Sequence, residues 1–446
     1  MVNSLIQMRQ FKLGTVLFLL GISSVAHGLC PPLGQFQSTE EGGWESTRQS
    51  LIDIFDQCLL SSEYFSLLGA AQLKTGQLAD AMESLERALL LDPDNGAALI
   101  DYSEALLEDG QLFAAIEVTQ LLLARPDIPP GLGRQIENRQ REWDALTRQT
   151  DWQLDLSGGY DSNLNGAPDT ETIALTLSGE PIFLVLNDNY QAVEGPFLNA
   201  RVAARHSRLS PEHQDILFGQ VRGRFSEDSS SDVTQFAGRF ARRGSPLPRA
   251  DQLSAGLNHL VFHGNSLFTG ADVSYRGNLT TLGRCVTSAS AALQQQRWHQ
   301  QRRLDGLEVR AGAEASCRLG SAARQEFTLG AGLLHNLALN DDRLGGNREG
   351  WQASARWRAA SAQRALSAQI NFARILDNRG FSPLLGNNSR RSVHRGSLLI
   401  QYREKLEYFP QDVEFIANFY HQNQKSNIEL FDTIDTSVEV GLSWHF

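Results

Sequence analysis

What the chain lacks narrows its function first. It has no His-Glu-x-x-His, no Cys-x-x-Cys and no phosphate-binding glycine loop followed by Lys and Ser or Thr. Its ten histidines are scattered. His259 and His263 lie four apart, but four residues of strand span ~13 Å, too far to share a metal ion. His206 and Ser207 are adjacent, so in a strand they point to opposite faces and make a poor nucleophile and base. No catalytic residue, cofactor, metal or nucleic-acid partner is expected, and the chain does not read as an enzyme. Past its N-terminus no run approaches the ~20 consecutive apolar residues of a membrane helix. If the mature chain enters a membrane, it does so as strands.

Positive charge is in deficit, with 40 Lys+Arg against 51 Asp+Glu. Two of those cations, Arg9 and Lys12, precede an apolar run from Leu13 to Val25 and then Ala26-His27-Gly28. This is the pattern of a secretory signal peptide over residues 1–28. Its removal takes two positive charges and no negative ones, so −11 becomes −13. Cysteine is scarce but even in number: Cys30, Cys58, Cys285 and Cys317. In an exported chain of two domains, Cys30 with Cys58 and Cys285 with Cys317 are the natural pairs, each closing a loop of modest length. Lipid attachment at Cys30 is disfavoured because the preceding Leu29 is larger than such processing accepts.

Between Ser62 and Asp127 the pattern has a helical period and repeats. Gly76 recurs as Gly110 and Ala81 as Ala115, each 34 residues on, the tetratricopeptide period. Phe65, Leu68, Gly69, Ala81, Leu85, Ala88 and Pro93 occupy the expected places in the first unit. The second keeps Leu99, Tyr102, Ala115 and Leu122. Small residues at 69 and 81 let two helices cross closely. Flanking helices are expected at Ser46–Leu60 and Leu132–Arg148, making residues 29–149 a periplasmic α domain. Such an array offers a groove for a peptide, with Phe65, Gln72, Leu99, Tyr102 and Leu106 as candidate binding residues; a plug or spacer that binds nothing is the other reading.

After Thr150 the grammar changes to period two. In the last thirteen residues Ile434, Thr436, Val438, Val440, Leu442, Trp444 and Phe446 alternate with Asp435, Ser437, Glu439, Gly441, Ser443 and His445. One wall is apolar and the other polar and charged, and the chain ends on an aromatic residue. That is how a transmembrane β-strand reads: lipid outside, water inside, aromatics at the interface. Fourteen such segments fit residues 150–446: 152–162, 197–206, 213–225, 232–242, 251–263, 266–277, 289–299, 305–318, 324–336, 350–360, 364–374, 394–405, 411–422 and 434–446. An all-β outer-membrane barrel of about 14 antiparallel strands is therefore expected. An even number brings both ends to the periplasmic side. Connections after even strands then form short turns, as at Arg208–Pro211, Gly244–Pro248 and Ala360–Gln363. Long outer loops fall at 163–196, 337–349, 375–393 and 423–433. In the first of these, Ile182–Leu186 is apolar and could fold inward as a plug or form a hairpin.

The predicted lumen carries Arg201, Arg205, Arg222, Arg224, Arg239 and Arg310 together with Glu308 and Glu314. These residues either stiffen the wall as an ion-pair network or present a cationic stripe that passes an anionic polymer or an extended polypeptide.

At the junction of the two domains stands Gly159-Tyr160-Asp161-Ser162-Asn163-Leu164-Asn165. That stretch, after helical repeats and before a barrel ending in aromatics, resembles the surface lipoprotein assembly modifier family. The resemblance implies an outer-membrane protein that helps move lipoproteins, or related secreted proteins, to the cell surface. The helical domain would then receive the substrate or a periplasmic chaperone. The family's architecture covers about residue 47 onward, but only two repeats are recognisable here. Two other readings remain. One is an exopolysaccharide export porin, which also joins such repeats to a barrel but usually with more repeats and about sixteen strands. The other is a surface-binding barrel that transports nothing.

Overall fold

The computed structural model describes residues 30–36, 43–177, 180–227, 229–244, 251–319, 324–409 and 412–446. The expected signal peptide and the Ser245–Pro248 part of one expected turn lie outside them. The chain divides into two compact units, Met1–Trp143 and Asp144–Phe446.

The first unit is helical, with α1 (Trp44–Asp53), α2 (Ser62–Lys74), α3 (Leu78–Leu91), α4 (Gly96–Glu108), α5 (Leu112–Leu123) and α6 (Pro130–Leu146). Several of the starts and stops have a local cause. Ser61 Oγ accepts from Tyr64 N at 3.1 Å and Asn95 Oδ1 from Ala98 N at 3.0 Å, capping α2 and α4. Gly76 (φ 77°) and Gly110 (φ 81°) take the left-handed turn between the helices of each pair, which is why glycine recurs there. At Gly69 a Cβ would sit 2.5 Å from Leu85 Cγ, so the close crossing of α2 and α3 requires glycine. Ala81, Leu85 and Ala88 of α3 are fully buried against α2. The expected helix over Ser46–Leu60 is shorter: α1 stops at Asp53, a 3₁₀ turn follows over Phe55–Gln57, and Cys58 is bonded to Cys30. That bond ties the segment around Leu33 and Phe36 onto the core and commits the Cys30 sulfur.

The second unit is a single sheet of sixteen strands, two of which form a side hairpin while fourteen close on themselves. They begin with β1 (Arg148–Asp161), followed by the hairpin β2 (Thr172–Leu177) and β3 (Glu180–Val185). The wall continues with β4 (Gly195–Leu209), β5 (His213–Ser226), β6 (Val233–Gly244), β7 (Gln252–Phe262), β8 (Asn265–Leu282) and β9 (Cys285–Trp298). It finishes with β10 (Gly306–Leu319), β11 (Gln325–Ala338), β12 (Arg348–Ala360), β13 (Arg364–Ser382), β14 (Leu385–Lys405), β15 (Asp412–Ser426) and β16 (Thr433–His445). Neighbours are antiparallel throughout, and the seam is β1 on β16, from Gln153 opposite His445 to Asp161 opposite Ser437. All fourteen predicted segments are strands of this wall.

One predicted loop differs, and another takes one of its two expected forms. The 375–393 segment is mostly strand: β13 and β14 run on to a turn at residues 383 and 384, with register shifts around Gly380. Ile182–Val185 is β3 of a hairpin rather than a plug; β2 docks beside the tip of β14 through Leu175 opposite Leu385. Cys285 and Cys317 are direct partners across β9 and β10 and are bonded.

The register sorts the side chains. Leu156, Tyr160, Val202, Leu257, Val438 and Val440 are exposed on the exterior face. Aromatics ring the wall near both rims. Trp152, Phe240, Tyr275, Trp357 and Tyr402 lie toward the rim where the strand chain starts and ends, and Tyr160, Phe225, Trp351 and Phe372 toward the far rim. An apolar exterior band between aromatic girdles is what a hydrocarbon slab demands of a wall with no free edge. No helix among the described residues is long and apolar enough to cross a membrane.

Candidate functional site: a charged lumen and a helical groove

Inward-facing positions are polar because every second residue of each strand meets water. Arg201 donates to Asp155 at 2.7 Å, Arg224 to Asp161 at 2.8 Å and Arg239 to Asp272 at 3.1 Å. Arg276 pairs with Glu314 at 3.2 Å, and Arg310 with Glu308. Glu439 accepts from Asn418 Nδ2 at 2.6 Å, Ser157 Oγ at 3.2 Å and Asn199 Nδ2, stitching β15, β16, β1 and β4 together. The interior is thus largely an ion-paired wall. Arg205, Arg222 and Arg358 are among the departures: among the described residues none of the three has a carboxylate in ion-pairing reach. Arg222 lines a cavity of about 370 Å³ with Arg224, Asp161 and Glu439. Arg358 lines another of about 490 Å³ with Arg356, Arg403 and Glu414. His206 faces outward to Thr150, while Ser207 faces in and is buried.

The junction motif is a clamp on the first far-rim loop. Asp161, 1% exposed, accepts from Arg224 and, through Oδ1, from Asn163 N at 2.7 Å. Asn163 Nδ2 donates to the carbonyls of Ala167 and Ile434, while its Oδ1 accepts from Ala167 N. Asn165 holds Gln191 O and Val193 N, and Ser162 Oγ accepts from Thr436 N at 2.8 Å. A Cβ on Gly159 would strike the Val438 carbonyl, whereas Tyr160 is exposed on the exterior face. Leu164, Ala167, Ile173 and Leu186 of the same loop are buried.

The far mouth also holds residues absent from the predicted lumen set: Arg343 in the β11–β12 connection, Arg348 on β12, Asp377 on β13 and Arg391 on β14. They meet because β13 and β14 continue past the membrane band. The signal available for them in sequence was slight, a Gly345-Gly346 pair inside an arginine-flanked loop, with both glycines at positive φ.

In the helical unit the predicted groove residues need correction. Phe65 (2% exposed) and Leu106 (3% exposed) belong to the core, because the repeat places them where helices pack. The Arg87 guanidinium lies 4.6 Å over the Phe65 ring. Tyr102 packs against both core clusters and donates to Glu86 at 3.0 Å. Gln72 and Leu99 are half-buried. The charges that link α2, α4 and α6 lie elsewhere. Glu104 pairs with Lys74 at 3.5 Å and with Arg139 at 2.5 Å. Asp101 neighbours them, and burial, with Glu104 adding repulsion, pushes it up to about 6 against the pull of Lys74 and Arg139. This mixed-charge strip can receive polar backbone and charged side chains of a peptide.

Residues 72–127 match the tetratricopeptide repeat. The match runs from the end of α2 past α5 and contains Lys74, Asp101 and Glu104 of the strip. No curated protein matches the chain. Among solved structures, the type III secretion translocator chaperone SycD of Yersinia enterocolitica aligns at 20% identity, covering 24% of this chain and 74% of its own (TM-score 0.22). An anion-selective porin from Comamonas acidovorans aligns at 10% identity over 67% of this chain and 99% of its own (TM-score 0.35). OccAB3 of Acinetobacter baumannii aligns at 8% over 67% and 100% (TM-score 0.33). With scores this low, the architecture rests on the chain's own hydrogen bonding and on the repeat match.

Proposed function

We propose that this protein sits in an outer membrane with its helical unit in the periplasm and helps translocate or display a protein substrate, a surface lipoprotein above all. The observation that carries the reading is the pairing, in one chain, of a repeat array bearing a mixed-charge strip with a closed, water-lined barrel. A repeat array receives extended peptide, and a barrel gives that peptide a route or a platform. The even strand number returns both barrel ends to one rim, and in this reading that rim is the periplasmic one. The reading needs no catalytic step, cofactor or metal; its partners are membrane lipid, the exported protein and a periplasmic chaperone.

The test is surface labelling of candidate lipoproteins in cells with the gene deleted and restored. Display should fall on deletion, return with the wild-type chain, and return only in part with Glu104→Lys, which breaks both ion pairs of the strip. Unchanged display in the deletion strain overturns the reading. One observation favours a second reading, passage of an anionic polymer: the unpaired Arg205, Arg222 and Arg358. Neutralising all three to Gln should then stop polymer export while leaving protein display intact.

A further inference from the structure

The far mouth buries more positive charge than it neutralises. Arg343 is 4% exposed; its Nη1 donates to Asn336 Oδ1 at 2.6 Å, while Nε and Nη2 are buried without an acceptor. Arg391, 8% exposed, donates from Nη2 to Asp377 Oδ1 at 3.1 Å, and its Nε has no acceptor. Its guanidinium is wedged between Phe431 at 4.4 Å and Phe381 at 5.0 Å, which fixes its plane. Arg348 makes no hydrogen bond among the described residues; its Nε stands 3.5 Å from the same Asp377 oxygen. Asp377 is fully buried, and its second oxygen has no donor. Gly345 abuts that oxygen, and any Cβ there would collide with it.

Arg348 and Arg391 therefore share one carboxylate, and Arg343 beside them has none in ion-pairing reach among the described residues. Glu308, whose charge also acts on Arg343 and Arg348, is committed to Arg310, Asn336 and Gln296. An uncompensated buried charge is strongly destabilising, and a guanidinium's preferred partner is an oxyanion that takes two of its N–H groups at once.

We infer that the far mouth of the barrel contains an oxyanion seat whose donors are Arg343, Arg348 and Arg391. The surplus of two positive charges matches phosphate or sulfate better than a single carboxylate. The burial of Arg343 and Arg391 excludes a phosphate carried on a bulky group, so the ligand is the free ion. Arg348, whose side chain is about a quarter exposed, is the side from which it enters. Bound there, the ion joins the 339–347 loop to the β13–β14 hairpin and latches the mouth. This does not depend on what the barrel transports.

The experiment is thermal unfolding of the full-length protein in detergent, titrated with phosphate, sulfate or chloride at matched ionic strength. ³¹P line broadening serves as a second readout. Phosphate and sulfate should raise the midpoint saturably, by roughly 4 °C at a hundredfold excess over the dissociation constant, and chloride should not. Arg343→Gln and Arg348→Gln should weaken the apparent affinity at least tenfold, and Arg358→Gln, at the other end of the lumen, should leave it unchanged. Should Arg343→Gln fail to fold, Arg348→Gln decides alone, since that side chain makes no hydrogen bond to lose. An equal response to chloride, or wild-type titration by Arg348→Gln, overturns the seat.

Discussion

The two units solve opposite problems with the same residues. In the helical unit alanines and leucines go in: Ala71, Ala81, Leu85 and Ala98 are fully buried, and charge is left to the surface strip. In the barrel they go out: Leu257 and Leu333 are more than 60% exposed while Asp161, Asp377 and Arg343 are among the most buried side chains. The difference teaches that exposure has no fixed meaning until the surrounding medium is named. A bare leucine on α3, such as Leu90, faces water; one on β11 faces hydrocarbon and belongs there.

The largest effect expected from breaking this contrast lies at Cys30–Cys58, where the bond closes a loop of 28 residues around the helical core. Cys30→Ser should cost the helical unit about 3–4 kcal/mol, read as a lower urea midpoint of the helical circular-dichroism signal, with the barrel's heat-modifiable gel migration unchanged. Next comes a pair of residues on β16. Val440→Arg places a guanidinium in the middle of the apolar band and should cost about 2–4 kcal/mol, whereas Ser437→Arg, on the lumen face, points into water and should cost far less; equal losses in a detergent unfolding assay would contradict the assigned faces. Gly69→Val should cost about 2 kcal/mol by pushing α2 off Leu85, again in the helical signal alone.

The smallest effect is at Asp101. Its carboxyl is raised from 3.8 to about 6 in the folded unit, so between those values the folded state holds the proton more tightly than the unfolded chain. Stability is therefore fully present below about pH 4 and declines as pH climbs through 6. Asp101→Asn should flatten that slope and stabilise the unit at pH 7 by about 1 kcal/mol, measured by urea unfolding from pH 4 to 8.

Much of this was legible in the chain because the governing rules are local. Alternation at Ile434–Phe446 needs only neighbours to be read, and a glycine at 76 and again at 110 announces a turn in left-handed geometry. The cysteine pairs follow from the modest loop that each bond closes. What was not legible depends on distant chain. The helical period marks Phe65 and Leu106 as apolar positions but does not say whether they face a partner or a neighbouring helix; the packing of α2 on α3 and of α4 on α5 decides. Arg343 and the pair Asp377 and Arg391 sit in two separate stretches that read as loops, and only the long β13–β14 hairpin brings them together. Nor does spacing reveal which arginines have partners: Arg201 meets Asp155 across a strand boundary, and Arg205, four residues on, meets no carboxylate.

The seam of the cylinder has a consequence for assembly. Gln153 hydrogen-bonds across to a strand translated almost three hundred residues later, so the first wall segment to emerge is also the last to be satisfied. Until β16 arrives, β1 offers a bare ladder and a greasy flank to the aqueous compartment, where such surfaces clump. The unfinished sheet is therefore the vulnerable form of this chain, and damage to its final residues should leave the whole product stranded rather than slightly shortened.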